Sequence, residues 1–343
     1  MKRHHNTLYV TTQGSYLSAE GETVLVRVDK ETKARFPLHM LEGIVCFGQI
    51  SCSPALMGRC SERGVGISFL TGRGRFLARV QGPVSGNVLL RREQYRRADD
   101  GEASARLAAS FVGAKVANSR AVLLRARRDH PESTGAAAIN RASLGLAEDI
   151  GMLADDLPLD AVRGVEGDAA RTYFDVFDHL IVAQKNDFRF DGRSRRPPKD
   201  RVNALLSFVY TLLVHDASSA LEAVGLDPQV GFLHRDRPGR PGLALDLIEE
   251  FRSFLADRLV LSLINRRQVR AKGFVERETG GVVMDDETRK AVLVAYQERK
   301  QEEVVHPFLG EKTTLGMFLH IQSLLLARHF RGDLDGYPAF VAR

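Results

Sequence analysis

Short runs of alternating hydrophobic and polar residues, interrupted by glycines and charged turns, make up the first 85 residues. This alternation predicts half-buried β-strands, because successive strand side chains point to opposite faces of a sheet. One helix is predicted at residues 53–63, with Pro54 near its first turn. The predicted strands are residues 7–12, 24–28, 35–38, 44–47, 66–70 and 75–80. Several short strands at such close spacing predict a small β-sandwich.

Beyond residues 82–86 the apolar residues recur at spacings of three and four, which indicates helices with one buried face. One helix is predicted around residues 107–124. Two more are predicted after Asp160 and Asp200, because either aspartate can cap a helix. The apolar face of the first consists of Leu107, Phe111, Ala114, Ala117, Ala121 and Leu124. The chain is therefore predicted to be α+β, with a small N-terminal β-sandwich domain (residues 1–85) and a larger all-α domain (residues 86–343).

A loop and a helix follow one another in residues 231–252. Arginine alternates with proline and glycine from residue 235 to residue 242, so this part cannot be a helix interior, and His234 is placed on a loop. From Leu243 onward the apolar spacing is helical. The predicted apolar stripe is Leu247, Phe251, Phe254, Leu255 and Leu259.

Three acidic residues of this helix lie three and four positions apart and therefore share one face: Asp246, Glu249 and Glu250. Carboxylates crowded in this way repel one another unless a cation lies among them. A divalent metal is one such cation, and the preceding loop could deliver His234 to it. The alternative is an ordinary solvated helix start, where the helix macrodipole favours acidic residues.

Glu166 is a further candidate, on the helix predicted after Asp160. Ala169, Ala170 and Tyr173 lie along its side of that helix. Small neighbours allow close packing, so the Glu166 carboxylate is predicted to be held against the protein. A surface glutamate beside an ordinary packing face is the alternative.

Two segments of the predicted helical domain are strongly basic. Residues 91–128 contain ten Lys or Arg against four Asp or Glu, and residues 185–201 contain seven against three. In the second segment, Phe188 and Phe190 interleave with the basic residues. Basic residues with aromatics on a loop suit a phosphate backbone with bases stacked nearby. A solvated helix face and a basic linker are the respective alternatives.

The overall composition sets broad limits. Of 343 residues, 44% are hydrophobic and 27% charged, as in soluble globular proteins large enough for two domains. The net charge of +6 and the pI near 9.3 weakly favour a polyanionic partner. Cys46, Cys52 and Cys60 are spaced too widely for a zinc ribbon or a disulfide framework. Together with the lack of a signal-peptide core and of 18 consecutive apolar residues, this predicts a cytoplasmic protein.

Three blocks of the sequence resemble the CRISPR-associated protein one family, the integrases that add new spacers to CRISPR arrays. The blocks are Gly164-Val-Glu166 to Tyr173-Phe174, Arg195-Arg-Pro-Pro to Tyr210, and Gly231-Phe-Leu-His234 with residues 243–252. Their order and spacing agree with the family, as does a β-rich start followed by a helical remainder. The resemblance therefore covers nearly the whole chain. The segment at residues 82–92 looks most like the forms found in subtype I-C systems.

The resemblance implies a metal site formed by Glu166, His234 and Glu249, with Asp246 beside it as a catalytic residue that contributes indirectly or through water. Family members often carry Asp where Glu249 stands, and Glu reaches about one methylene further. Carboxylates with one imidazole suit Mg²⁺ or Mn²⁺. The implied reaction is transesterification, in which a DNA 3′-hydroxyl attacks a phosphodiester at the repeat boundary. Endonuclease activity on DNA is implied as well.

The resemblance also predicts DNA contacts and partners. The predicted DNA contacts lie in the matched blocks, at Arg195, Arg196, Asn203, Tyr210 and Arg252. The implied substrates are double-stranded spacer precursor and the CRISPR repeat. The implied partners are a second copy of the chain, through the β-rich domain, the small CRISPR-associated protein two, and the CRISPR-associated protein four nuclease. A membrane is not among them.

Two other functions remain open. One is a general metal-dependent nuclease acting on branched or single-stranded DNA, which would shorten DNA strands and not join them. The other is a non-enzymatic DNA-binding scaffold whose acidic cluster is structural. Such a scaffold would be insensitive to metal chelators.

Overall fold

Two compact units make up the chain, and they are seen in a computed structural model that describes residues 6–72, 74, 76–80, 82, 88–154, 156–278 and 280–342. The first unit is Met1–Gly86 with Leu293–Glu302, and the second is Asn87–Val292 with Glu303–Arg343. Residues 293–302 were predicted to lie in the helical domain. They group with the first unit, where Gln297 Nε2 donates to Thr7 O over 3.1 Å.

Eight strands form two four-stranded sheets in the first unit. The strands are β1 (Asn6–Val10), β2 (Tyr16–Glu20), β3 (Thr23–Val28), β4 (Glu31–Pro37), β5 (Leu41–Phe47), β6 (Ser51–Cys52), β7 (Gly66–Leu70) and β8 (Phe76–Val80). The sheet orders are β1-β5-β7-β8 and β4-β3-β2-β6. β1, β5 and β7 run parallel, and β8 pairs antiparallel with β7. All six predicted strands are present, whereas β2 and the two-residue β6 escaped prediction.

The core of this unit is a cluster of aliphatic side chains from the strands and from helix α1 (Pro54–Arg63). Leu17, Ile44 and Ile67 are fully buried in it. Helix α1 begins one residue after the predicted start, because Ser53 is its N-cap and Ser53 Oγ accepts a hydrogen bond from Leu56 N over 3.2 Å. Arg75, the start of one predicted strand, and residues 83–87 of the segment that resembles subtype I-C forms lie outside the described residues. The assignment to that subtype stays a prediction.

Helices dominate the second unit. They are α2 (Val88–Asp99), α3 (Gly101–Asp129), α4 (Ala136–Met152), α5 (Leu159–Asp175), α6 (Arg201–Ala223), α7 (Gly242–Glu249), α8 (Arg258–Asn265), α9 (Asp286–Gln301), whose second half belongs to the first unit, and α10 (Leu315–Phe330). α3 packs against α2, α4, α5 and α7. The predicted α+β class is confirmed, with one qualification. The short antiparallel ribbons β9 (Phe274–Glu276) with β10 (Val282–Met284), and β11 (Glu303–Val305) with β12 (Lys312–Thr314), make this unit mainly helical and not all-α.

Three local predictions about the helices need correction. The helix predicted from Leu243 is interrupted after α7, where a π-helical segment, Arg252–Asp257, precedes α8. On α3, Leu124 is exposed instead of buried, because the buried face shifts along this long helix to include Asn118 and Ser119. Asp200 caps α6 as predicted, but α5 begins after Pro158 and Asp160 lies within its first turn.

The aromatic residues of the basic loop belong to the core. Phe188 and Phe190 are buried, and Phe190 packs in a cluster with Phe174 and Phe177 at ring-centroid distances of 5.8 and 5.0 Å. The prediction that they stack on nucleic-acid bases is therefore wrong. Their burial instead anchors the loop between α5 and α6 to the helices.

Two helices, α3 and α6, are long and apolar enough to cross a membrane by length and composition alone. In each, 61% of the most apolar window is buried inside the protein. Core helices of soluble proteins pass the same test, so the composition of these two helices is weak support for a membrane span.

Candidate active site

A close approach of two glycines places His234 next to α7. Gly242 N donates to Gln229 O over 3.0 Å, which holds the start of α7 against the segment before His234. A Cβ on Gly231 would lie 2.6 Å from the Gly242 carbonyl carbon and 2.9 Å from Asp246 Oδ2. Because no side chain fits there, glycine at residue 231 is a requirement of the local packing.

Asp246 organises the turn that carries His234. It is fully buried and accepts backbone hydrogen bonds from Phe232, Leu233 and His234 at 2.6, 3.0 and 3.0 Å. Its Oδ1 also lies 2.6 Å from His234 Nδ1. The Asp246 carboxylate oxygen accepts hydrogen bonds, so Nδ1 carries a ring proton, and the neutral form of the ring has its lone pair on Nε2. Asp246 therefore sets both the position and the tautomer of His234.

Glu249, at the last turn of α7, is surrounded by cationic groups. Its Oε1 lies 3.0 Å from the Arg252 guanidinium and 4.0 Å from His234 Nε2, and its Oε2 lies 2.9 Å from Lys115 Nζ. Burial alone would raise the pKa of Glu249, but the positive charges of Arg252 and Lys115 lower it to about 2. Glu249 is therefore an ionised carboxylate held inside the protein.

Lys115 of α3 joins this group to Glu166 of α5. Its ammonium is hydrogen-bonded to Glu166 Oε1 and also contacts Glu249, while only 8% of the residue is exposed. The prediction that the Glu166 carboxylate is held against the protein agrees with this geometry. The solvated acidic helix start, offered as an alternative for Asp246 and Glu249, is wrong because both residues are buried.

Whether Glu166, His234 and Glu249 fit a divalent cation depends on the Lys115 ammonium, which contacts both glutamates. Among the described residues, no three His, Cys, Asp or Glu side chains are grouped so that they could hold one metal ion. Lys115 lies between the two glutamates, where a shared cation would have to be. However, Glu249 Oε2 is buried and accepts no well-directed hydrogen bond from any described residue, and His234 Nε2 retains its lone pair. Two carboxylates that already contact one cation, with an imidazole 4.0 Å from one of them, are the ligand types that suit Mg²⁺ or Mn²⁺.

Glu250 does not join this group, contrary to the prediction that it shares a face with Asp246 and Glu249. It is fully buried and points towards the C-terminal segment, where it accepts hydrogen bonds from the Tyr337 hydroxyl at 2.5 Å and from Phe340 N at 2.6 Å. Asn118 of α3 stabilises the same segment, because its Nδ2 donates a hydrogen bond to Phe340 O over 2.9 Å. The helix geometry changes after Glu249, so neighbouring glutamates serve different parts of the protein.

A pocket opens beside Lys115, and three of the predicted DNA contacts line it: Arg195, Tyr210 and Arg252. Asp257 lies on the same wall and accepts a hydrogen bond from the Tyr210 hydroxyl over 2.6 Å. Burial raises the pKa of Asp257 to about 6, although the Tyr210 hydrogen bond and Arg193 act in the opposite direction. The pocket therefore combines cationic side chains with buried aromatic and acidic groups.

The remaining predicted DNA contacts differ in exposure. Arg196 is exposed on the loop before α6. Asn203 is fully buried, and its side chain bonds to the loop through Gly192 O at 2.8 Å, Ser194 N at 3.0 Å and Asp200 Oδ2 at 2.5 Å. As placed, Asn203 stabilises the basic loop and does not face a ligand.

Two residues of this site were missed by the sequence analysis. Lys115 was counted only as part of the basic segment at residues 91–128, and Asp257 was not singled out. One signal was available for Lys115, because it stands between Ala114 and Val116 in the most apolar part of its helix. A lysine in such a run must find a buried partner or reach solvent.

Comparison with known proteins gives the same family as the sequence blocks. The family model described as CRISPR associated protein Cas1 matches residues 8–298. The chain is 60% identical to a CRISPR-associated endonuclease Cas1 of Chlorobaculum tepidum, over 100% of both chains, and 54% identical to one of Rhodospirillum rubrum, over 98% of both. It is also 34% identical to a CRISPR-associated exonuclease Cas4/endonuclease Cas1 fusion of Geobacter sulfurreducens, covering 98% of this chain and 60% of the fusion.

Solved structures share the fold. A casposase bound to an integration product matches with a TM-score of 0.82 and 23% identity, over 98% of this chain and 94% of the other. One chain of a Cas6-RT-Cas1–Cas2 complex matches with a TM-score of 0.80 and 21% identity, over 98% of this chain and 36% of that chain. At these identities the likeness shows a common fold and not a common activity.

Proposed function

This chain belongs to the family of the CRISPR-associated protein Cas1, and from that premise we propose that it joins DNA strands by metal-dependent transesterification at a CRISPR repeat. It is an enzyme of the CRISPR-associated endonuclease type, as its relatives with 60% and 54% identity are named. The strand-joining role is supported by the shared fold with a casposase that was solved with an integration product.

One observation carries the proposal: two glutamates from different helices, Glu166 and Glu249, converge on one cationic group beside His234. These three residues would hold the divalent ion, Mg²⁺ or Mn²⁺. When bound, such an ion acts as a Lewis acid on a phosphoryl oxygen and offsets the charge that develops on the attacking and leaving oxygens. No protein nucleophile is required, because the attacking group is a DNA 3′-hydroxyl.

The other residues of the site orient His234 or supply positive charge. Asp246 keeps the His234 ring proton on Nδ1 and directs Nε2 towards Glu249, which lies 4.0 Å away. Arg252 stays paired with Glu249 at 3.0 Å and offers its remaining donors to the pocket. Arg195, on the rim of that pocket, would contact a DNA phosphate and so attract the substrate without reading its bases.

The partners follow from the relatives. The fusion of a Cas4 exonuclease with a Cas1 endonuclease supports a Cas4 nuclease as a partner, and the complex that contains both Cas1 and Cas2 supports a small Cas2 partner. Double-stranded spacer precursor and repeat DNA are the proposed substrates. The proposal also includes a homodimer formed through the β-rich unit, and a cytoplasmic location.

The test is a strand-joining assay with end-labelled DNA and Mn²⁺ on the wild type and a Glu166→Ala variant. Joined products are expected for the wild type, and the variant is expected to lose joining while retaining fold and DNA binding. Asp168→Ala is the matched control, since Asp168 lies on the same helix and its side chain is 66% exposed. Products that are only shortened would indicate a general nuclease. Full joining by Glu166→Ala, or joining that a chelator leaves unchanged, would contradict the proposed metal site.

A further inference from the structure

Lys115 occupies the centre of the proposed metal site, and this position has a consequence for how a metal binds. The ammonium contacts Glu166 and Glu249, the two carboxylates that would hold a divalent ion. It is almost completely buried, on a helix whose next turn is pinned by Asn118 Nδ2 donating to Glu250 O over 2.7 Å. The backbone of Lys115 is therefore fixed, and only the side chain can move.

The charges explain why a cation is needed there in the absence of metal. Glu249 has 1% exposure, and its carboxylate lies 2.9 Å from the Lys115 ammonium and 3.0 Å from the Arg252 guanidinium. An unpaired ionised carboxylate in a protein interior is strongly destabilising, and a second carboxylate beside it adds repulsion. The Lys115 ammonium contacts both carboxylates and, together with Arg252 at Glu249, offsets both costs. The folded chain therefore has a ready-made internal counter-ion for these two glutamates.

The same counter-ion and a divalent metal cannot share the space between the same carboxylate oxygens, because both are cations in a poorly solvated site. We infer that Lys115 competes with the divalent ion for Glu166 and Glu249 and must swing out of the site when the metal binds. This inference rests on the proposed function of the site. The lysine side chain has a flexible four-carbon stem. Lys115 already lines the adjacent pocket, and Asp257 is another of its lining residues. The displaced ammonium thus has the adjacent pocket to enter.

Direct metal titration tests the competition without relying on activity. Mn²⁺ binding to the full chain, without DNA, is measured by calorimetry for the wild type and for Lys115→Met, which keeps side-chain length but removes the charge. The expected result is Mn²⁺ binding at least about tenfold tighter in Lys115→Met, equivalent to about 1.4 kcal/mol. Arg106→Met is the control on the same helix, because Arg106 is exposed and pairs with the exposed Glu102 at 3.6 Å; it is expected to bind Mn²⁺ like the wild type.

The outcomes separate this inference from the proposed function. Unchanged or weaker Mn²⁺ binding in Lys115→Met would overturn the competition while leaving the metal site itself standing. A wild-type chain that binds no Mn²⁺ would instead refute the proposed function.

A second measurement uses the wild type alone and so does not depend on a variant that folds. Lysine acylation followed by mass spectrometry is expected to label Lys115 slowly in metal-free buffer. With saturating Mn²⁺ its labelling rate is expected to rise several-fold, whereas the exposed Lys33 serves as the unchanged reference. A Lys115 labelling rate that Mn²⁺ leaves unchanged or lowers would show that the ammonium is not displaced.

Discussion

Replacing Asp246 with asparagine is the most informative single change, because it alters one oxygen and tests how His234 is controlled. Asp246 Oδ2 accepts from two backbone N–H groups, and Oδ1 accepts from His234 N and faces His234 Nδ1 at 2.6 Å. In asparagine one of these oxygens becomes an NH₂ donor. The least costly arrangement keeps the oxygen towards the two N–H groups and turns the NH₂ group towards His234.

That arrangement reverses the tautomer of His234. The NH₂ group donates to Nδ1, so the ring proton moves to Nε2 and the lone pair directed towards Glu249 is lost. The His234 backbone N–H is also left facing a donor. A hydrogen bond to a charged group contributes roughly 1.5–3 kcal/mol, and an unsatisfied buried donor costs roughly 1–3 kcal/mol, so the variant is expected to lose about 2.5–6 kcal/mol of unfolding free energy.

Two assays separate the consequences of Asp246→Asn. Urea unfolding is expected to show the loss of stability, and Mn²⁺ calorimetry is expected to show about 10–100-fold weaker binding, as found when a group that orients a metal ligand is lost. Strand joining should fall in parallel. Asp160→Asn is the matched control, since Asp160 is exposed and pairs with Arg163 and Arg235 at 2.8 and 2.9 Å. Wild-type Mn²⁺ affinity in a folded Asp246→Asn chain would refute the tautomer argument.

Three further predictions concern the DNA path, pH and packing. Replacing Arg195 and Arg196 by Ala should reduce the slope of log K for DNA binding against log salt by up to roughly two, about 0.9 for each phosphate that is no longer neutralised. The reduction should be the same for all DNA sequences. A wild-type slope would show that the loop is a solvated linker. The folded pKa of Asp257 is raised to about 6 from 3.8, so its stabilising contribution is complete below pH 3.8 and is lost as pH rises through 6. Urea unfolding of Asp257→Asn should therefore gain about 3 kcal/mol relative to the wild type between pH 3.5 and 7, and a constant difference would show that Asp257 ionises normally. Gly231→Ala should lower the unfolding free energy by several kcal/mol and abolish strand joining, because its Cβ would lie 2.6 Å from the α7 backbone. Gly164→Ala is the control, since a Cβ there has no neighbour within 4 Å, and it should fold with unchanged or slightly higher stability. Equal unfolding midpoints for the two variants would contradict this prediction.

Local patterns determined much of the architecture. The change from a two-residue to a three-and-four-residue apolar period separates the strands of the first unit from the helices of the second, because each period reflects the geometry of one backbone conformation. The cap at Asp200 was readable for the same reason, since it depends on residues within three positions. The resemblance to the family indicated Glu166, His234 and Glu249 as the site; in the structure Lys115 contacts both glutamates, and His234 lies beside Glu249.

Contacts between distant segments were decided only by the tertiary structure. Lys115 is 51 residues from Glu166, and Asn118 meets Phe340 across 222 residues, so no local pattern predicts either pair. The opposite directions of Glu249 and Glu250 depend on the break in regular helix after α7, which helical spacing does not reveal. For a charged or aromatic side chain, the sequence gives the kind of group that it can bind but not the partner that it meets. Whether it becomes a counter-ion, a core anchor or a ligand is decided by which groups folding brings within a few ångströms of it.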